Sequence, residues 1–318
     1  MSSIILKKDL FNEILLHPAE HFDELCVVSG FATPAMAVHH LSAVEETFDR
    51  DTLKINLIIG MTPLSGISKP HHKNFVKLAE NRPDFVCSYI EQNSAPIHTK
   101  LYTWLNNGKP EIAFLTSANY TLNAFRQLQD EVATECNPEE AFEYYNSKIA
   151  HSSYCTCPEV TDLVVEAGTK TYEIPEVEHE ATKTNGEMVK LPLFSERTGK
   201  IHNHAGLNWG QRDGREPNQA YIPIPSNIAR SGFFPPRGEH FSVLTDDGIP
   251  FVCAVAQQND KAIHTSNNNS EFGEYFRRKL NVPLGKPISL ANLDRYGNRY
   301  VSFTKINEEE YYMEFQGI

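Results

Sequence analysis

The chain of 318 residues predicts two domains of different class: an α/β domain first, then a small, mostly-β module. Three observations predict this. Through residue 172, apolar runs of strand length alternate with stretches of helical spacing. From Glu173 to Lys190 the chain is charged and irregular, "EIPEVEHEATKTNGEMVK", as a linker is. After that, short strand-like runs are separated by Gly, Pro, Asn and Asp. The expected division is therefore 1–172, a linker over 173–190, and 191–318.

The elements follow in order. "MSSIILKKDLFNEILLH" reads as a short strand and a helix, without the long apolar core of a signal peptide. "ELCVVSGFAT" is an apolar strand ending at Gly30, and "AMAVHHLSAVEETF" has helical spacing. "LKINLIIGMT" is a buried strand ending at Gly60, and "PHHKNFVKLAENR" is helical, with Pro70 at its start. "DFVCSYIE" is a strand. "LYTWL" and "EIAFLTS" form a hairpin around Asn107-Gly108, a strong turn signal. "TLNAFRQLQ" predicts a short helix and "DEVATEC" a strand. In the second module "AYIPIP", "HFSVLTDDGIPFVCAVAQ", "KPISLANL" and "YVSFTKI" predict strands, and "SEFGEYFRRKLN" a helix. This pattern suggests a small β-barrel.

Composition narrows the function classes. No apolar run approaches the roughly 18 residues of a membrane span. Six cysteines (26, 87, 136, 155, 157 and 253) without secretory signals read as free thiols of a reducing cytoplasm. Net charge is −12. Residues 1–185 hold 14 Lys+Arg against 26 Asp+Glu, and residues 186–318 hold 15 of each. Nine of the twelve arginines fall in that second part, where planar guanidinium forks suit phosphates and base edges. There is no GxxxxGK[ST] loop, so no ATP hydrolysis by the chain itself is expected.

"APIHTKLYTWLNNGKPEIAFLTSANYT" carries the chemistry. It places His98 and Lys100 at i, i+2 on one predicted strand, and Ser117 and Asn119 at i, i+2 on the next. Residues so spaced face the same side. A histidine can act as nucleophile or as general acid/base. Lysine, serine and asparagine can all donate to phosphate oxygens. No carboxylate cluster of the kind a magnesium site needs accompanies them. The chemistry that fits is phosphoryl transfer through a histidine nucleophile.

His98-Thr99-Lys100 followed by Ser117-Ala118-Asn119 resembles the H-x-K…S-x-N signature of the phospholipase D superfamily. That resemblance implies two motifs meeting at one phosphorus. One histidine forms a phosphohistidine and the other protonates the leaving oxygen, with no divalent metal or other cofactor. Family nucleases also carry an acidic residue about a dozen positions after the asparagine; Glu131 matches, with Asp130 beside it. The chain departs from the pattern in two ways. "LYTWLNNG" lacks the aspartate common after H-x-K, an absence frequent in superfamily nucleases, and Thr116 stands where a glycine usually precedes the serine. With one good motif in the chain, the resemblance implies a homodimer formed through the N-terminal domain. His98, Lys100, Ser117, Asn119 and Glu131 of each subunit would then share one site.

His71-His72-Lys73 also matches H-x-K, but a helix puts His71 and Lys73 about 200° apart. "HSSYCTC", with Cys136, offers Cys136, His151, Cys155 and Cys157 as zinc ligands, although the spacing is not that of a standard finger. Tyr102 and Trp104 read as packing residues.

The second module concentrates Arg, Asn, Gln and Ser in "GLNWGQRDGREPNQAYIPIP" and "HTSNNNSEFGEYFRRKLNVP". Asn and Gln read adenine edges, and Arg reads guanine. The two stretches look like the recognition arms of the B3-like domain in NgoFVII-type restriction endonucleases. That family joins a phospholipase D-like nuclease domain, a mixed sheet flanked by helices, to a C-terminal B3-like pseudobarrel. The DNA-contacting candidates are Trp209, Gln211, Arg212, Arg215, Asn218 and Gln219 in the first arm, and Ser266, Asn267, Asn268, Asn269 and Arg277 in the second. The expectation is a cytoplasmic type II-like restriction endonuclease that cuts a specific double-stranded DNA site. The resemblance also admits a separate ATPase/helicase-like subunit as partner. The rival readings are a phosphatidyl hydrolase or transferase on the same core, and a DNA-binding regulator with an inactive hairpin site.

Overall fold

The structure is a computed structural model describing residues 5–49, 53–126, 129–166 and 187–317. The chain divides into two compact units, Met1–Glu180 and Ala181–Ile318.

In the first unit β1 (Ile5–Leu6) precedes a short helical turn over Phe11–Leu16. β2 (Glu24–Ser29) leads into α1 (Pro34–Phe48), where the Thr33 hydroxyl caps the Met36 amide at 3.3 Å and Pro34 supplies the preset first turn. Next come β3 (Lys54–Ile59), the single turn α2 (Thr62–Ser65), β4 (Ile67–Ser68) and α3 (Lys69–Asn81). β5 (Phe85–Ile90), β6 (Leu101–Asn106) and β7 (Lys109–Thr116) follow. Asn107 and Gly108 both have positive φ, +50° and +76°, as the tight hairpin turn between β6 and β7 requires. The unit finishes with α4 (Leu122–Phe125), β8 (Ala133–Cys136), α5 (Pro138–Ile149), β9 (Ser152–Tyr154) and β10 (Val164–Val165).

Eight strands make one mixed sheet in the order β1-β8-β7-β6-β2-β3-β5-β9, and β10 pairs with β4. β2, β3 and β5 run parallel, with α1 and α3 in their crossovers, while β6, β7 and β8 are antiparallel neighbours on the other side. The register decides which strand ends meet. Val28 pairs with Leu101, Leu101 with Leu115, and Thr116 with Ala133. The carboxyl end of β2, the start of β6, the end of β7 and the start of β8 therefore share one edge.

The second unit contains β11 (Met188–Pro192), β12 (Ile222–Pro223), α6 (Ser226–Ala229), β13 (His240–Thr245), β14 (Pro250–Ala256) and β15 (Ala262–Thr265). It continues with α7 (Ser270–Lys279), α8 (Leu290–Tyr296), β16 (Tyr300–Lys305) and β17 (Glu310–Glu314). The strand order is β11-β16-β17-β13-β14-β15-β12, antiparallel except for the parallel pair β13–β17. β11 and β12 approach each other, so the sheet nearly closes into a barrel. Its core stacks Phe233, Phe234, Phe241, Phe303 and Tyr311 edge to face or tilted, at 4.8–5.9 Å between ring centroids.

Several elements differ from expectation. "KPISLANL" contains helix α8 instead of a strand, because the Ser289 amide donates to Asn292 Oδ1 at 2.8 Å and Gly297 closes the helix at φ +88°. Only Leu122–Phe125 of "TLNAFRQLQ" is helical; Gln127 and Leu128 lie outside the described residues. "AYIPIP" contributes a two-residue strand. β11 begins at Met188, inside the stretch expected to be linker, most of which lies outside the described residues. His98, Lys100, Ser117 and Asn119 are not on strands, since β6 begins at Leu101 and β7 ends at Thr116. They occupy the loops at the shared edge.

Candidate active site

Three of the four strand ends just described each deliver candidate side chains, and the fourth frames them. His98 and Lys100 enter before β6, Ser117 and Asn119 leave after β7, and Glu131 stands before β8. The loop after β2 supplies Ser29, Gly30 and Phe31. A crevice at the carboxyl end of a parallel strand, where neighbouring connections diverge, is the usual binding position in open α/β sheets.

Lys100 Nζ lies 2.9 Å from His98 Nε2 and donates to His98 O at 2.8 Å. An ammonium has donors only, so Nε2 accepts and the ring proton belongs on Nδ1. Burial, and then the adjacent Lys100 charge, hold the His98 pKa below the ordinary histidine value. The imidazole is thus kept neutral with a lone pair on the atom beside the cation. Lys100 is only 7 % exposed, and its burial lowers its own pKa against the opposing pull of Glu131. His98 itself is exposed, with the Phe31 ring edge-on at 6.2 Å.

Ser117 Oγ donates to the Glu131 carboxylate and accepts from the Val132 amide at 3.0 Å. Asn119 Oδ1 accepts the Phe31 amide at 3.1 Å. That contact commits the carbonyl end of Asn119 inward and leaves its amide NH2 as the free donor. Ser29 holds this turn: its hydroxyl donates to Phe31 O at 2.6 Å and accepts from the Tyr120 amide at 2.9 Å. Gly30 forms the floor. A Cβ there would stand 3.0 Å from the His98 ring and 3.3 Å from Asn119 Oδ1. Thr116, where related signatures have glycine, bonds to Val132 O at 2.8 Å and accepts the Ala118 amide at 3.0 Å, tightening the turn that carries Ser117. Behind the site, His40 is fully buried between Tyr120 Oη (2.9 Å) and Leu15 O (3.2 Å), and burial lowers its pKa to about 3.

Sequence reasoning missed Ser29, Gly30 and Phe31. The signal was present: "VSGF" ends a central apolar strand with a glycine, the position where a backbone must approach a ligand or a neighbour closely. His71 and Lys73 sit on α3 and take no part in this edge. Among the described residues no group of three or more His, Cys, Asp or Glu side chains is gathered, so Cys136, His151, Cys155 and Cys157 do not form a cluster. Cys155 is buried beside Cys87, its amide bonded to Cys87 O at 2.8 Å.

In the second unit, the two predicted arms meet. The Ala220 amide donates to Asn269 O at 3.0 Å, and Ser270 Oγ donates to Glu216. Most of their amide side chains are used internally. Asn218 donates to Glu216 at 3.0 Å and accepts the Gly285 amide at 2.6 Å. Gln211 donates to Pro217 O at 2.9 Å and Gly285 O at 3.2 Å. Asn269 Oδ1 lies 2.8 Å from His264 Nδ1, and Asn268 Oδ1 accepts the Ser270 amide at 2.9 Å.

Arg277 requires a correction. It is fully buried on α7 and donates to Gly273 O, Lys286 O and Pro217 O at 3.1, 2.8 and 3.2 Å. It clamps loops instead of facing solvent. Gly273 beside it lets the first arm close in, since an added Cβ would lie 1.6 Å from Asn218 O. Arg212 and Arg215 are exposed, and the Arg215 guanidinium stacks over the Trp209 ring at 4.0 Å. Gln219 accepts from Arg215 at 3.1 Å. Asn267 is exposed and Ser266 half-buried.

Comparison with known proteins decides the family. Residues 8–162 match the NgoFVII restriction endonuclease N-terminal PLD domain, and residues 182–307 match the NgoFVII C-terminal B3-like DNA-binding domain. The chain belongs to the NgoFVII restriction endonuclease family. It is accordingly an endonuclease with a phospholipase D-like N-terminal unit and a B3-like, DNA-binding C-terminal unit. No curated protein matches the chain. Among solved structures, the first unit of this family member is similar to NucT from Helicobacter pylori, at 16 % identity over 48 % of this chain and 98 % of that one, with a TM-score of 0.33. It is also similar to Nuc from Salmonella typhimurium, a phospholipase D family member, at 13 % identity, 48 % and 97 % coverage, and a TM-score of 0.35. A hypothetical Arabidopsis thaliana protein matches at 15 % identity over 41 % of this chain and 89 % of that one, with a TM-score of 0.21. No helix among the described residues of this endonuclease is long and apolar enough to cross a membrane.

Proposed function

We propose that the protein cleaves specific double-stranded DNA without a metal ion, through a phosphohistidine formed in a site shared by two chains. The observation that carries this reading is the neutral His98 Nε2 facing Lys100 Nζ at 2.9 Å, at the edge where Ser117, Asn119 and Glu131 converge. The first unit cuts and dimerises; the second reads the site, with Arg212, Arg215, Trp209 and Asn267 as its exposed or partly exposed candidates.

In this mechanism His98 Nε2 attacks phosphorus. An N–P bond forms as the P–O bond to the leaving strand breaks. The leaving oxygen takes a proton from the protonated His98 of the partner subunit. That imidazole, now neutral, removes a proton from water, whose oxygen bonds to phosphorus as the N–P bond breaks, and both histidines return to their starting states. Lys100 and the Asn119 amide of each chain offset the charge developing on the non-bridging oxygens. Ser117 gives its one hydroxyl proton to Glu131 and so braces the turn; it would donate to a phosphate only by turning away from that carboxylate.

A 1:1 mixture of wild-type and His98→Ala chains, allowed to exchange, tests the shared site. Random pairing leaves about a quarter of the dimers intact if both imidazoles are needed, against about half of the original sites if each chain works alone. Cleavage should persist in excess EDTA; its complete loss there, reversed by magnesium, would refute the metal-independent mechanism.

A further inference from the structure

A cleft of about 510 Å³ opens directly beside His98 and runs over the Asn93–Thr99 segment to Tyr144, Lys148 and His151. Its lining contains Lys148, two histidines, hydroxyls and an asparagine amide, but no carboxylate. That is unexpected in a part of the chain where residues 1–185 carry 26 acidic against 14 basic side chains. The cleft is also fixed in place. Thr99 Oγ1 and Tyr144 Oη are 2.9 Å apart, joining the His98 segment to α5, and Lys148 Nζ rests 4.5 Å over the Tyr144 ring. Among the described residues no carboxylate pairs with Lys148. A lysine in the last turn of α5 also suits the helix dipole, but the dipole gives no reason for an acid-free cleft leading away from the nucleophile.

We propose that this cleft holds a non-scissile phosphodiester of the DNA strand being cut, with Lys148 as its charged contact and Asn93 and Ser94 as neutral donors. The proposal rests on the nuclease reading of His98. It places the strand along the Asn93–Thr99 segment, so that one phosphate anchors in the cleft while a neighbouring one meets Nε2. Such a contact carries no sequence information. It acts equally in ground and transition states and so belongs in KM, not kcat.

The test compares the salt dependence of duplex DNA binding for two otherwise identical proteins made non-cleaving by His98→Ala, one of which also carries Lys148→Ala. Each chain engaged should lose about 0.9 from the slope of log K against log salt, or roughly fivefold in affinity near 0.15 M salt. In the cleaving enzyme, Lys148→Ala should raise KM for plasmid DNA with kcat within about twofold, and Lys148→Arg should restore it. An unchanged slope would overturn the proposal. It would also be overturned if Lys148→Ala relieved inhibition by inorganic phosphate while leaving the DNA slope intact, because the cleft would then be a free-anion site. Loss of wild-type cleavage in EDTA would strike the metal-independent mechanism alone, since the slope is read on non-cleaving protein.

Discussion

The strand-end edge of the first unit and the loop arms of the second are both rich in polar side chains, yet they use them in opposite ways. At the edge, Asn119 commits only its oxygen, to the Phe31 amide, and keeps its NH2, while His98, Lys100, Ser117 and Glu131 bond chiefly to one another. In the arms, Asn218, Gln211 and Asn269 commit their side chains to neighbours, and Arg277 commits all of its guanidinium to three carbonyls. Residue type is therefore a weak guide to a binding surface. What counts is the donor or acceptor capacity left after the fold has taken its share.

His98→Ala should break the comparison hardest, abolishing cleavage by more than about 10⁴-fold while duplex affinity stays within about twofold, as measured by gel shift. A parallel loss of binding would mean that the first unit also reads the site. Arg277→Ala should destabilise the second unit by about 3 kcal/mol, because a fully buried side chain and its bonds to Gly273 O, Lys286 O and Pro217 O are lost together. Urea unfolding should then show the second unit melting early while His98-dependent activity on non-specific DNA persists. If stability were unchanged and specificity lost, Arg277 would be a reading residue after all.

Arg215→Ala should weaken specific over non-specific binding by about 1–3 kcal/mol if the Trp209-stacked guanidinium meets a base. Equal weakening for all sequences would make it a phosphate contact. Ser29→Ala should cost about 1 kcal/mol in kcat through a loosened Asn119, with KM almost unchanged. Finally, the pH profile of kcat/KM should be bell-shaped. The pair needs one neutral and one protonated imidazole, and the depressed His98 pKa draws both limbs toward lower pH than two ordinary histidines would give. Activity should therefore fall as pH rises from that optimum through neutrality. A profile rising to alkaline pH would contradict this.

Much of this was legible in the sequence. The hairpin around Asn107-Gly108, the buried strands and the helices α1, α3 and α7 follow from period and punctuation, which act locally. The His98, Lys100, Ser117, Asn119 and Glu131 set was visible as a candidate because the H-x-K and S-x-N pairs are short-range patterns. Its placement in loops was not, since a strand and the extended loop entering it have the same residue spacing. Ser29 reaches the site across 90 residues, Arg277 is buried by loops 60 positions away, and α8 hides in an apolar stretch whose helicity depends on the Ser289–Asn292 cap. Each of these is set by tertiary contact, which local pattern does not carry.

The working edge draws on positions from Ser29 through Glu131, brought together only when β2, β6, β7 and β8 have paired. A polypeptide that stops short of Glu131 holds His98, the proposed nucleophile, but lacks the acid that accepts from Ser117. All of these positions are synthesised in the first half of the chain, but the proposed site forms only through non-local strand pairing, the kind of contact that is slowest to form. By this reading a copy that ends between the two units carries the cutting edge without the unit that reads DNA, so restraint on the chromosome has to come from somewhere other than the order of synthesis.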